Sequence, residues 1–478
     1  MGKIEISPNL FRTLDIRGAN EEFVNSQHFV EGSPKSKSAF GTILNTEIAV
    51  VIGKSIAVAE KPKKVVVGYD ARLSSPELSK ALIKGFLSQG VDVDLIGLVT
   101  TDKLYFAIGE YKYDLGVMTT ASHSTKELNG FKISRLVDGR VMPVADGTGM
   151  EAVKKIALEQ DFAALAGKGE FREIDISDDF TKYILSYFDL TKIAKQKVVF
   201  DAANGPAGIT HEKIIDSLPI EAIKLNFTPD GNFPNHEPNP MIPRNVSETV
   251  NVIKSEGADF GVAWDGDADR VAIITKKGDI LTGSFIAPLL IPWVIDRHPG
   301  ATIINTPPMS WASRDLAEKY SDKIKYSRVG NSYVKQAMAE EKSPFAAEEA
   351  DHFMFAETFY AESGILPVLI VLQSIFENHE TFDDLVASVV KNYHVSGDIN
   401  FTVKNSQKII ETVRQEYLKI GGKISEIDGI EVDFSDWHFC LRPSLNDPVI
   451  RLNIETTSSE KIASEIENIK KIIVEADK

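Results

Sequence analysis

The chain has 478 residues, with 53 basic against 69 acidic side chains, a formal charge of −16, 43% apolar residues and a mean hydropathy of −0.10. That length accommodates about three or four domains, and the apolar share suits a soluble protein with several cores. The acidic balance excludes nonspecific nucleic-acid binding, which needs a basic surface.

From the N-terminus, "MGKIEISPNL" has no apolar h-region after a basic start and lacks the Ser/Thr of a myristoylation signal. "LFRTLDIRGAN" (10–20) sets Arg12 and Arg17 near a glycine, which alone reads as surface charge. In "KKVVVGYDARLSSPELSKALIKGFLSQG" (63–90) a β-branched run leads into a turn-rich loop and then helical periodicity. Ser74 or Ser75 can cap that helix and Pro76 suits its first turn; Leu78, Leu82, Ile83, Phe86 and Leu87 form one apolar stripe, which Gly90 ends. The same order returns in "KQKVVFDAANGPAG" (195–208) and "GATIINTPPMSWASRDLAEKY" (300–320), which predicts βαβ construction, mainly parallel sheets and three related α/β domains. "SFIAPLLIPWVI" and "GILPVLIVL" each contain proline and are too short to span a bilayer. Beyond "FENHETFDDL" the pattern changes: "GIEVDF", "WHFCLRPS" and "PVIRLNIET" are short strands close together, and a last helix carries Ile462, Ile466, Ile469 and Ile473 on one face. That predicts an α+β domain. The expected domains are 1–160, 161–272, 273–387 and 388–478. The lone Cys440 excludes an intramolecular disulfide framework and suits a reducing compartment, so the expectation is a cytoplasmic protein with no membrane or nucleic-acid partner.

Three stretches could carry chemistry. "TTASHSTKELNG" (119–130) follows the strand-like "DLGVM", and a serine at a strand end in an α/β sheet lies where ligands usually bind. No G-x-S-x-G elbow surrounds it, which argues against acyl hydrolysis. The residues leave Ser122 open between a turn or N-cap serine and a phosphate carrier, and His123 open between a packed or capping role and a functional one. "DFGVAWDGDADRVAIIT" (259–275) alternates Asp265, Asp267 and Asp269 between two apolar runs. Carboxylates gathered in one turn repel unless a cation sits among them, and Gly266 would allow the tight backbone. An EF-hand fits poorly, because Arg270 and Lys276 stand where its loop wants Gly and Glu; Mg²⁺, which takes carboxylates plus a phosphate oxygen, fits better. Arg270 is open between a structural and a substrate role. "FCLRPSLNDPVIRLNIE" (439–455) holds Arg442, Ser444 and Asn446 in a turn between strands with Arg451 beyond, the donor types a phosphate needs or simply a Pro- and Asn-rich hairpin.

Taken together and in this order, "FRTLDIRG", "TTASHSTKELNG", "DGDADR" and "RPSLNDPVIRLNIE" resemble the α-D-phosphohexomutase superfamily along essentially the whole chain, with "GYDARLSSPEL", "DAANG", "PDGNFPNHEPNP" and "SGILPVLIVL" as intermediate markers. "RPSLNDPVIRLNIE" and "FPNHEPNP" look most like the phosphomannomutase/phosphoglucomutase branch. The resemblance implies three related α/β domains and a smaller α+β domain around a central cleft. It implies a phosphoserine at Ser122, Mg²⁺ on Asp265, Asp267 and Asp269 together with the serine phosphate, and assistance to phosphoryl transfer from Arg17 and Lys132. It further implies a distal-phosphate grip at Arg442, Ser444, Asn446 and Arg451, and sugar recognition by Glu348 and His352 with Arg270, Arg328, Gly330 and Asn331. The implied reaction interconverts hexose 6-phosphate and hexose 1-phosphate, with mannose first and glucose second, through a hexose 1,6-bisphosphate that also serves as activator. The implied partner is a phosphosugar, bound by a monomer or homodimer. The general base is open among His123, His352 and Lys132.

Four departures bear on this. The active loop, S-H-N-P in many relatives, is Ser122-His123-Ser124-Thr125; the sugar loop, G-E-M-S-G-H in many, is "AEEADH", with Ala347 and Ala350 for glycine and serine; Asn331 stands for a histidine; and Pro308 for a basic residue. Three of the four lie on the sugar-reading side. The alternatives are a mutase for glucosamine phosphate or N-acetylglucosamine phosphate, and a non-catalytic sugar-phosphate-binding relative.

Overall fold

The computed structural model describes residues 3–21, 42–162, 168–319, 323–444 and 449–478. The chain forms two compact units, Met1–Leu281 with His352–His379, and Thr282–Asp351 with Glu380–Lys478.

The first unit contains a seven-stranded mixed sheet. Its central strand Lys64–Tyr69 runs parallel to Asp92–Leu98 on one side and Leu115–Thr119 on the other. Val65, Val66 and Val67 are fully buried, as expected of a parallel strand covered on both faces. Leu128–Val137 then adds antiparallel to Leu115–Thr119, and Ile16–Ala19 antiparallel to Leu128–Val137. This order places Lys132 on the strand beside the one that ends at Thr119, and Arg17 one strand further out. The helix Ser75–Leu87 buries Leu78, Leu82, Ile83 and Phe86 of the expected stripe, with Leu87 half-buried at its end. Its expected cap is not made: the Ser74 hydroxyl accepts from Asn129 Nδ2 at 2.8 Å, and Ser75 Oγ donates to Asp70 Oδ1 at 2.6 Å. A fully buried carboxylate requires donors, and Asp70 takes this one from the helix start.

The second sheet has five strands. Phe260–Trp264, buried throughout, lies parallel to Lys197–Asp201 and turns back into the antiparallel strand Val271–Thr275. The acidic motif is therefore the turn at the C-terminal end of a parallel strand, the same place on its sheet that Ser122 occupies on the first. "SGILPVLIVL" becomes the helix Leu366–Asn378, with proline in its first turn and Leu366 to Leu372 free of its apolar surface exposure.

In the second unit Thr302–Asn305 runs parallel to both Lys323–Tyr326 and Phe345–Ala347. The run "SFIAPLLIPWVI" lies in a buried helix, Gly283–Arg297, despite Pro288 and Pro292 within it. Among the described residues no helix is long and apolar enough to cross a membrane. The C-terminal part is a six-stranded antiparallel sheet whose long strands, Trp437–Pro443 and Val449–Thr456, pair along their length. The helices Ser406–Lys419 and Ser459–Ala476 cover it, sharing a core of Ile409, Val413, Phe439, Leu452, Ile469 and Ile473. Three mixed sheets flanked by helices and an antiparallel C-terminal sheet with two helices agree with the predicted α/β domains and α+β domain.

Candidate functional site

Ser122 leaves the end of its strand with φ +52, a left-handed conformation uncommon for a residue with a side chain. Its N–H donates to Thr120 Oγ1 at 2.8 Å, and its hydroxyl donates to Asp265 Oδ2 at 2.9 Å. Arg270 Nη1 donates to the same hydroxyl at 2.9 Å and also reaches Asp265 Oδ2 at 3.0 Å. The serine is buried, so these bonds form where solvent screens little.

Asp265, Asp267 and Asp269 are buried and offer ligand atoms within 4.8 Å of one another, the one such cluster among the described residues. Asp267 Oδ1 and Asp269 Oδ1 have no hydrogen-bond partner among the described residues. Burial, reinforced by the neighbouring Asp267 and Asp269 charges, pushes the Asp265 carboxyl up to about 7. A hard divalent cation would relieve that repulsion and use the orphaned oxygens, so the donor set fits one. The expectation for Gly266 is corrected in one respect. The left-handed residue of the turn is Ala268, at φ 58; Gly266 is required because a Cβ there would come within 2.5 Å of the Ser122 carbonyl oxygen.

Positive charge surrounds this cage. Lys132 Nζ donates to Asp267 Oδ2 at 2.6 Å and to Asp269 Oδ2. Burial alone would lower its pKa, but the two carboxylates overcome this and hold the ammonium above the ordinary lysine value. Arg17 Nη1 donates to Ser124 Oγ at 3.0 Å, so the serine standing for the usual asparagine has a partner. His123 lies with Nδ1 3.4 Å from Ser122 Oγ and against Arg270 Nη1. The Arg270 charge, with burial second, pushes its imidazole well below the ordinary range, so the ring is neutral at pH 7. His352, expected in the sugar-recognition loop, also lies against the acidic turn: its backbone bridges to Arg270 and its Nε2 lies 3.5 Å from Asp269 Oδ1.

The second unit brings together a different set. Glu348 Oε1 accepts from the Gly330 N–H at 2.8 Å, and Gly330 opens the helix Asn331–Glu340. Arg328 lies over the Tyr333 ring at 4.5 Å, with Nε 4.0 Å from Asp428 Oδ1. Arg442 and Arg451 face each other across their antiparallel strands, each 3.6 Å from Asp398 Oδ2. Ser444 closes the hairpin by donating its N–H to the Val449 carbonyl at 2.9 Å. Asn446 lies outside the described residues.

Sequence reasoning missed three groups. Thr101, at the start of the helix Thr101–Glu110, donates its hydroxyl to Asp267 Oδ2 at 2.6 Å and its N–H to the Asp267 carbonyl at 2.9 Å. Asp70 and Arg72 form a fully buried ion pair beneath the serine loop; "GYDARLSSPEL" contains both, but nothing in its spacing points to Ser122. His236 pairs with Asp201 at 3.0 Å and fixes the "FPNHEPNP" stretch.

Fold and site together define an α/β protein with a strand-end serine set against a cation cradle of three carboxylates. Phosphoglucomutase/phosphomannomutase alpha/beta/alpha domains I, II and III match residues 8–146, 178–278 and 282–393. A phosphomannomutase of Escherichia coli K12 is 33% identical over 431 residues, covering 88% of this chain and 93% of that protein. A protein of Xanthomonas campestris named for phosphohexose mutases is 34% identical over 415 residues, 86% and 92% of the two chains. The crystal structure of a phosphoglucomutase/phosphomannomutase family protein from Burkholderia thailandensis superposes with a TM-score of 0.85 at 27% identity, covering 99% of this chain and 98% of that one. The chain belongs to the phosphoglucomutase/phosphomannomutase family of phosphohexomutases, enzymes of the isomerase class that work by phosphoryl transfer.

Proposed function

We propose that this protein interconverts mannose 6-phosphate and mannose 1-phosphate, with the glucose pair as second substrate, through a phosphoserine at Ser122 and a hexose 1,6-bisphosphate. The observation that carries the reading is the Ser122 hydroxyl at 2.9 Å from Asp265 Oδ2 within the three-carboxylate cluster. Mannose comes first because the relatives at 33–34% identity include phosphomannomutases.

In the proposed reaction the free hydroxyl oxygen of a hexose monophosphate attacks the Ser122 phosphorus. The bond from phosphorus to Oγ breaks, the sugar hydroxyl gives up its proton, and Oγ recovers one as serine. The bisphosphate then returns its other phosphoryl group by the reverse steps, so the net change is an isomerisation. Catalysis here is positioning plus neutralisation of the phosphoryl oxygens. Asp265, Asp267 and Asp269 would hold Mg²⁺, which supplies charge neutralisation at the transferring group. Arg17, Lys132 and Arg270 supply fixed positive charge beside it, with His123 adjacent to the serine. We assign the non-reacting phosphate to Arg442, Ser444, Asn446 and Arg451, and the sugar hydroxyls to Glu348, His352, Arg328, Gly330 and Asn331.

The test is a coupled assay with Mg²⁺ and a hexose 1,6-bisphosphate over the 1-phosphates of mannose, glucose, glucosamine and N-acetylglucosamine. Highest kcat/KM for mannose 1-phosphate is expected. A preference for glucose 1-phosphate or for either amino sugar would overturn the mannose assignment. Absence of turnover on all four, from protein shown by mass to carry phosphate on Ser122, would overturn catalysis.

A further inference from the structure

Beneath the serine loop lies a charged group that the proposed reaction does not itself use. Arg72 is 1% exposed, yet every one of its guanidinium nitrogens is occupied. Nε donates to Asp70 Oδ2 at 3.0 Å. Nη2 donates to the carbonyls of Ser122 at 2.7 Å and Ser124 at 2.6 Å, and Nη1 to those of Thr125 at 2.6 Å and Leu128 at 3.1 Å. One side chain thus holds four carbonyls of the segment that carries the serine. The planar fork is the geometry that converging carbonyls require, and lysine cannot reproduce it.

Asp70 completes the device from the other side. Its Oδ2 accepts from Thr120 Oγ1 at 2.7 Å, and Thr120 Oγ1 in turn accepts the Ser122 N–H at 2.8 Å. Ser122 is therefore gripped at both its N–H and its carbonyl by one buried ion pair and the hydroxyl attached to it. This bears on a residue at φ +52, a conformation that persists only where its surroundings over-determine it.

The "PDGNF" stretch closes over the pair. The Arg72 guanidinium lies 5.3 Å from the Phe233 ring centroid, and a Cβ at Gly231 would come within 2.4 Å of the Ala71 carbonyl oxygen. That approach leaves no room for a side chain at 231 and keeps the ion pair dry, where its hydrogen bonds are strongest.

We propose that Arg72, backed by Asp70 and Thr120, is a positioning residue that sets Ser122 in its left-handed conformation for phosphoryl transfer without touching the sugar phosphate. This rests on Ser122 as the phosphoryl carrier. A displaced reacting group costs rate rather than affinity.

The test compares Arg72→Lys, Thr120→Val and Ser122→Ala in the full-length protein, reading kcat, KM and the melting midpoint. Arg72→Lys keeps the charge and should lower kcat about 100-fold with KM for the sugar 1-phosphate within about twofold. Thr120→Val is isosteric, leaves the Arg72–Asp70 ion pair in place, removes both hydrogen bonds of the hydroxyl, and should lower kcat about tenfold or more. A folded Arg72→Lys with wild-type kcat, or with KM raised and kcat kept, overturns the proposal. Should Arg72→Lys fail to fold, Thr120→Val decides alone, and wild-type kcat in it overturns the proposal. Activity retained in Ser122→Ala overturns the phosphoserine reading, and the positioning role with it.

Discussion

The Ser122 site in the first unit and the arginine cluster in the second are built differently. Ser122, Asp265, Asp267 and Asp269 are each no more than 2% exposed, and Arg270 and Lys132 bond directly to them. In the second unit the Arg328 side chain is 51% exposed and Arg451 30%, Arg442 is buried, and Arg442 and Arg451 share one acid at 3.6 Å. Transfer chemistry needs groups fixed before the substrate arrives. Recognition of a phosphate can leave its arginines loosely held, because the phosphate supplies the bidentate partners itself. The lesson is that substitutions on the first side should act on kcat and those on the second on KM.

The most severe way to break this contrast is Ser122→Ala. Loss of at least about 10⁴-fold in kcat is expected, the scale seen when a covalent carrier is removed, and a stopped assay with radiolabelled sugar phosphate measures it. A variant keeping most of its rate would remove the distinction between the two sides.

Metal removal comes next. Chelation should abolish turnover, and Mg²⁺ should restore it. Because the carboxylates repel one another, the melting midpoint should also rise when Mg²⁺ is added to chelated protein. Asp267→Asn should lose that rise. A midpoint indifferent to Mg²⁺ in the wild type would count against the cradle.

Arg442→Ala sharpens the comparison from the other side. Loss of a charged donor to phosphate should raise KM by about 10–100-fold, with kcat changed far less. If kcat fell instead with KM unchanged, the second unit would be contributing to the chemical step.

Much of this was legible in the sequence, for physical reasons. "DGDADR" was legible as a cluster able to hold a cation because its three carboxylates alternate between two apolar runs and converge in one turn, and strand-then-helix periodicity carried the α/β architecture. Arg72 was not legible, since its partners are backbone carbonyls some 50 residues away and carbonyls leave no mark on a sequence. Thr101 was hidden for a similar reason: a threonine at a helix start reads as a cap, and here its hydroxyl serves Asp267. His352 was placed with the sugar loop by its motif, while a backbone bridge to Arg270 sets it beside Asp269. The ends of an element are thus where local pattern fails, because long-range polar partners decide them.

The smallest expected effect tests whether looseness in the second unit is general or confined to its arginines. His438 is buried between Glu455, whose Oε2 lies 2.7 Å from Nε2, and Glu431, 3.4 Å from Nδ1, and it stacks on Trp311 at 4.7 Å. Glu455 also accepts from the Trp311 N–H at 2.8 Å and from Ser310 Oγ, tying the start of the helix Trp311–Lys319 to the C-terminal sheet. Burial opposes charging this imidazole, but the two glutamates overcome it and push the pKa up to about 9. The folded value lies above the ordinary 6.5 or so of an unfolded histidine. The stabilisation is therefore complete below about pH 6.5 and is lost as pH rises through about 9. The wild-type melting midpoint should fall across that window, and His438→Gln should start lower and show a flatter profile. Parallel profiles for the two proteins would mean that His438 is not held charged in the folded state, and that this part of the second unit is organised no more tightly than Arg328 and Arg451.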